Sequence, residues 1–135
     1  MSTMTVMRTL LLSSSEVSTA AGGRIYAGEL PAAQAASMPR RAIVVTPSGG
    51  VGLGSRDYSD LVEPRVDIKC YGATSVEAED VHKVVRKFLR QLRPTVAAGI
   101  LVHRVVVESH GSYLRDGPAE WPMYLSVYDV AMGEE

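Results

Sequence analysis

The sequence predicts an α+β fold, with an antiparallel or mixed sheet of about four strands, helices packed on one face, and the order αββαββ. Three observations carry this reading. Arg65, Asp67, Lys69 and Tyr71 alternate with Val66, Ile68 and Cys70, the period of a strand with one buried and one wet face. Beyond Gly72, residues 75–93 carry a helical stripe of Val81, Val84, Val85, Phe88, Leu89 and Leu92. Two further strand-like runs, 100–108 and 121–132, close the chain, and strands grouped this way with few helices favour an antiparallel sheet.

The elements follow in order. Residues 4–21 place Met7, Leu10, Leu11 and Val17 at helical spacing, and Gly22 and Gly23 supply the stop. Residues 24–41 open on the extended signature Arg24, Ile25, Tyr26, pass Gly28, Pro31 and Pro39, and read as a surface arm. Residues 42–46 are a short apolar, β-branched strand. The stretch 47–59 holds Gly49, Gly50, Gly52 and Gly54 among serines, followed by Arg56, Asp57 and Tyr58, and reads as a long flexible connection. Thr74 stands three residues before Glu77, the spacing of a capping box. Glu79 and Asp80 early in the helix, then Lys83, Arg86, Lys87, Arg90 and Arg93, complement its dipole, and Pro94 ends it. Residues 95–99 read as a turn. His110, Gly111, Ser112, Asp116, Gly117 and Pro118 mark a hairpin with an extended tip. In the last strand Met123, Leu125 and Val127 form an apolar side, and Tyr124, Ser126 and Tyr128 an aromatic, hydroxyl-bearing side.

A chain of 135 residues is the size of one domain, here 1–135. A formal net charge of −1 gives no overall basic field to hold nucleic acid. The one cysteine, Cys70, lies on the Val66 and Ile68 face and reads as core in a reducing compartment. The Leu10, Leu11, Leu12 cluster is too short for a signal peptide, and no run approaches the roughly 20 apolar residues of a membrane span, so a cytoplasmic origin is expected.

Motifs for chemistry fail individually. Gly50, Gly52 and Gly54 follow a strand but precede Ser55, Arg56 and another strand, with neither a phosphate-loop lysine nor a helix N-terminus. His82, His103 and His110 lack zinc-ligand spacing and read as surface or edge residues. Ser109 beside His110 is not a triad, and no serine lies in a nucleophile elbow. Glu63, Asp67, Glu77, Glu79, Asp80 and Glu108 read as capping, dipole or strand-face charges. No catalytic, cofactor-binding or metal-binding residue is expected. A strand face bearing both signs, Arg65, Asp67 and Lys69 with Tyr71, is either solvated or matched by another subunit.

This order of elements, with Arg24-Ile25-Tyr26 leading to Pro31, the strand at 43–45, the glycine loop, the strand 65–71 and the helix opening at Ser75 with Glu79 and Val81, resembles the tail terminator or tail completion proteins of long-tailed bacteriophages. The likeness covers nearly the whole chain. It implies a non-enzymatic virion protein, assembled in the host cytoplasm, that forms a ring of about six copies on the head-proximal end of the tail tube. Such a ring stops tube polymerisation and presents the surface joined by the head connector or stopper. The implied partners are other copies of the chain, the tube protein and the connector, while DNA passes through the channel without sequence-specific binding and no membrane is involved. Arg65, Asp67, Lys69 and Tyr71 are the expected subunit interface, and Arg56, Asp57 and Tyr58 the partner-contacting loop. Two other classes fit the same residues, a different neck component such as a head-tail stopper and a small cytoplasmic ligand-binding α/β domain.

Overall fold

Serine hydroxyls set the first departure from the expected elements. In the computed structural model, which describes residues 3–51, 61–116 and 120–133, the N-terminal helix is broken into α1 (Thr3–Leu12) and α2 (Ser15–Ala20). The Ser13 hydroxyl donates to the Leu10 carbonyl, and Ser14 caps α2 by accepting from the Val17 N–H at 3.3 Å. Short hydroxyl side chains compete for backbone groups in this way, favouring a cap over a continuous helix. Val6, Met7, Leu10, Leu11 and Val17 are buried nonetheless, and Gly22 and Gly23, with φ of +62° and +75°, turn the chain out of α2.

The expected surface arm is a crossover connection. β1 (Ile25–Ala27) runs parallel to β2 (Ala42–Val51), in register from Ile25↔Ile43 to Ala27↔Val45. Parallel neighbours need a connection of about a dozen residues. Residues 28–41, with the short helix α3 (Ala32–Ala35), provide it, and the Arg24 guanidinium fastens its two ends by donating to the Arg41 carbonyl at 2.7 Å.

β3 (Leu61–Tyr71) pairs antiparallel with β2, and the ladder passes an irregularity between Pro47 and Gly50 to reach Val51↔Glu63. The connection expected from residue 47 is therefore strand as far as Val51, and residues 52–60 lie outside the described part. α4 (Ser75–Arg90) begins as its sequence predicts. Thr74 Oγ1 accepts from the Glu77 N–H at 3.2 Å, and the Glu77 carboxylate accepts from the Ala73 N–H at 3.1 Å. The helix stops three residues short of Arg93, because Pro94 disfavours helical geometry in the residue before it.

The expected turn at 95–99 contains a strand. β4 (Thr95–Ala97) turns through Ala98 and Gly99, both at positive φ (+52° and +80°), the geometry of a two-residue hairpin, into β5 (Ile100–Asp116), and β6 (Trp121–Gly133) follows. His110, Gly111 and Ser112 belong to β5, whose register with β6 shifts at Val102/Arg104 and is bulged again between Val107 and Ser112. The sheet accordingly has six strands, ordered β1-β2-β3-β6-β5-β4, where about four were expected. The additions are three-residue strands at the two edges, too short to show a period in sequence.

One face of the sheet packs under α1, α2 and α4. Ile25, Ile43, Val45, Val66, Ile68, Cys70, Tyr128 and Val130 from the strands meet Met7, Leu11, Val81, Val85 and Leu89 from the helices. The opposite face carries a smaller cluster, Ala42, Val44, Tyr71 and Met123, covered by Tyr26, Leu30 and Met38 from β1 and the crossover. Helices therefore cover one face, as expected, and the crossover shields part of the other.

Candidate partner-binding surfaces

β3 occupies the middle of the sheet, between β2 and β6, so its alternation sends Arg65, Asp67 and Lys69 to the face away from α4. Their cross-strand neighbours on β6 are Asp129, Val127 and Leu125. Arg65 Nε donates to Asp129 Oδ1 at 3.1 Å, and Arg65 Nη2 lies 3.4 Å from Glu108 Oε1 on β5. The Asp129 hydrogen bond and charge, then the Glu108 charge, push the guanidinium further above its ordinary value. Asp129 is the better covered partner, its side chain 15% exposed against 39% for Arg65. Three strands thus hold one cation in a fixed direction, an arrangement the spacing within β3 alone could not announce. Asp67 and Lys69 are half-buried, with no ion pair within the chain among the described residues.

Tyr71 separates from this set. It is 3% exposed and sits edge-on to Trp121 at 6.1 Å between ring centroids, beneath the residues of the crossover. The strand alternation places it on the polar face, but the crossover covers that end of the face and turns it into core. Arg56, Asp57 and Tyr58 lie outside the described residues.

His82 departs from expectation as well. His82, expected at the surface, is 3% exposed and stacks on Tyr124 with centroids 4.4 Å apart and planes 23° apart. Tyr128 and Ser126, on the aromatic, hydroxyl-bearing side of the last strand, are fully buried beneath α4, whereas Leu125 and Val127 on the opposite, apolar side are half-buried. The continuation of β6 into Val130 and Met132, on the Tyr128 face, was the signal that this side faces the core. Burial pushes the Tyr128 hydroxyl up to about 12; the neighbouring Ser126 hydroxyl, short of good hydrogen-bond geometry, and the Arg86 charge offset this only partly. Burial likewise pushes the Cys70 thiol up, leaving it a core side chain with little thiolate character.

Two shallow hollows lie on the surface of the described residues. One of about 300 Å³ is bordered by Ser75, Val76, Glu79, Tyr113 and Tyr124, where the start of α4 meets β5. The other, about 480 Å³, lies between the ends of α1 and α4, against Leu10, Phe88 and Arg93. Among the described residues no three His, Cys, Asp or Glu side chains gather in a metal-ligating group, and no helix is long and apolar enough to cross a membrane.

What distinguishes the molecule is surface for contact: a fixed charge cluster on one sheet face and apolar side chains along one sheet edge. No curated protein matches the chain. Residues 5–123 match the family described as "Tail completion protein gp17", a span that runs from α1 into β6, and the chain belongs to this family of phage tail structural proteins.

Proposed function

We propose that this chain closes the head-proximal end of the phage tail tube as a ring of about six copies, ends tube polymerisation and presents the surface to which the head connector or stopper attaches. The family match over residues 5–123 is the observation that carries this reading. Residues 1–135 act in it as one tail-terminator-like unit. Arg65, Asp67 and Lys69 serve subunit contact, with the Arg65 guanidinium already oriented by Asp129 and Glu108, and Arg56, Asp57 and Tyr58 meet the tube or cross the ring. A head-to-tail interface repeated with a closing rotation generates such a ring.

The test is the mass distribution of the purified chain, alone and with tail tubes, alongside negative-stain images. Rings, or density capping one end of the tubes, are expected; a monomer that leaves tubes uncapped and still growing overturns the reading. Charge reversal tests the face. Lys69→Glu and Asp67→Lys are the informative variants, because neither side chain holds an ion pair among the described residues, whereas reversing Arg65 would also disturb Asp129 and Glu108. Each single reversal is expected to weaken ring formation about tenfold or more, and the two together to restore part of it, by the energies seen for close interfacial charges. Unchanged assembly in all three removes this face from the interface.

A further inference from the structure

The six-stranded sheet has incompletely covered strands near both ends. β4 pairs with β5 only from Ile100 to Val102, and over residues 103–116 β5 is joined to β6 on one side and, among the described residues, to no strand on the other. β1 pairs with β2 only from Ile43 to Val45, with the Gly28 N–H donating to the Val45 carbonyl at 2.7 Å as a last bond, so, among the described residues, residues 46–51 of β2 have no strand on that side. The exposed apolar residues are not scattered. Val96, Leu101, Val106, Tyr113 and Leu114 all lie on β4 and β5, and Val76 borders the 300 Å³ hollow beside Tyr113. A long edge with exposed apolar side chains is a template for another strand, and natural proteins blunt or cover it. This one has neither lysine nor proline over residues 103–116, and although its register with β6 shifts at Val102/Arg104 and again between Val107 and Ser112, residues 104–107 run in unbroken register.

From these edges we infer that the open edge of β5 receives the open part of β2 from a second copy, so that the sheet continues from subunit to subunit around the ring. The inference rests on the ring reading above and names its contact. Three features select a second copy as the occupant. The unpaired backbone groups of an edge are met in full only by another strand. The chain itself carries the second edge that a head-to-tail contact requires, on a different part of its surface. The open part of β2 and the part of β5 between β4 and the second bulge, 46–51 and 103–108, are each six residues long, and 46–51, though it holds Pro47 and an irregularity before Gly50, carries no charge to oppose Arg104 and Glu108. A six-residue strand pair spans only about 20 Å. It falls short of the roughly 800 Å² per partner of a stable interface, so the apolar side chains around Tyr113 and Val76 must contribute.

The experiment uses the full chain. Val106→Lys with Leu114→Lys places charge at two positions that are 43% and 42% exposed, so the fold should tolerate them. Their effect on ring formation is read by native mass spectrometry and by tube capping, with thermal melting as the control for folding. A second measurement does not depend on these variants. A chain carrying Thr46→Cys is mixed with chains carrying Arg104→Cys, Val106→Cys or Glu108→Cys, and intermolecular disulfides are sought. At least a tenfold rise in the concentration needed for rings, an unchanged melt and a cross-link between the two kinds of chain are expected. Rings of wild-type strength in the lysine variant, with no cross-link at any of the three positions, overturn the inference and leave the ring reading standing. Cross-linking of Val106→Cys chains only to themselves shows a two-fold pairing of β5 and also overturns it. A wild-type chain that forms no ring, free or on tubes, removes the ring reading and this inference together.

Discussion

Gly111 shows how much one residue decides. With φ at +104° it sits where a β-carbon would lie 2.7 Å from Tyr124 Cε1 and 3.0 Å from His82 Cε1, so the bulge in β5 leaves room for the stacked pair that ties α4 to the sheet. Gly111→Ala should lose stability both through the left-handed backbone and through the displaced rings, by about 2–4 kcal/mol in urea unfolding. A loss below about 0.5 kcal/mol would mean that the rings move aside freely. Tyr128 gives a pH-dependent counterpart. Its hydroxyl ionises near 10.0 in the open chain and near 12 when folded, so the unfolded state gives up the proton first. The stabilising effect is fully present below pH 10 and is lost as pH climbs toward 12, by an amount on the order of 2 kcal/mol. Cys70, raised by the same burial, adds a loss of the same sign that begins at lower pH. Unfolding series from pH 9 to 12 should therefore fall less steeply in Tyr128→Phe than in the wild type, and parallel curves would show that Tyr128 is not the group responsible.

At the scale of elements, α4 is held at its start by two separate devices. Thr74→Ala removes the cap to the Glu77 N–H and should cost about 1 kcal/mol. Gly72→Ala should cost more, about 2 kcal/mol or above, because a β-carbon there would fall 2.5 Å from the backbone N of Ala78, which cannot swing away as a side chain can. Denaturant midpoints of the two variants check the order, and a Gly72→Ala chain as stable as Thr74→Ala would mean that α4 can shift outward. This join was legible in the sequence because its signals are local: an alternating strand, a glycine, a capping box and a stripe at helical period. The N-terminal helix was legible as helix but not as two, since the serine hydroxyls at Ser13 and Ser14 act against a pattern that continues across them. β1 and β4 were hidden by their length of three residues, and with them the crossover, whose small residues and prolines look like any exposed segment until β1 is paired. The candidate surface was half legible. Arg65, Asp67 and Lys69 fall on one face as alternation requires, but the Asp129 and Glu108 partners come from strands 64 and 43 residues away, and the covering of Tyr71 depends on where the crossover lands.

For the whole molecule, charge is the property that bears most directly on the proposed ring, through which DNA would pass. Fourteen basic residues against fifteen acidic ones leave a net charge of −1, and much of the basic charge is displayed on α4 and just beyond it, at Lys83, Lys87, Arg90 and Arg93. One of these is already offset, Lys83 Nζ lying 3.4 Å from Glu79 Oε1, and the arginine at the sheet face is held by Asp129 and Glu108. A protein that neutralised several phosphates would release counterions and show a log–log salt slope of about −0.9 per phosphate. Among the described residues the exposed basic side chains gather only along α4 and just beyond it, with Arg8, Arg104 and Arg115 scattered on other elements, so duplex DNA should be retained only at low salt, with a slope of about −2 to −3, and released by about 150 mM salt. Gel-shift titrations of the assembled protein across that range check it, with Lys87→Glu/Arg90→Glu as the variant that should abolish the low-salt retention. Binding that survives at 150 mM with a steep slope would mean that the assembled ring presents a basic lining unseen in the single chain. Such a lining would have to come from copies brought together by their sheet edges, and the Val106→Lys/Leu114→Lys chain should then lose it along with the ring.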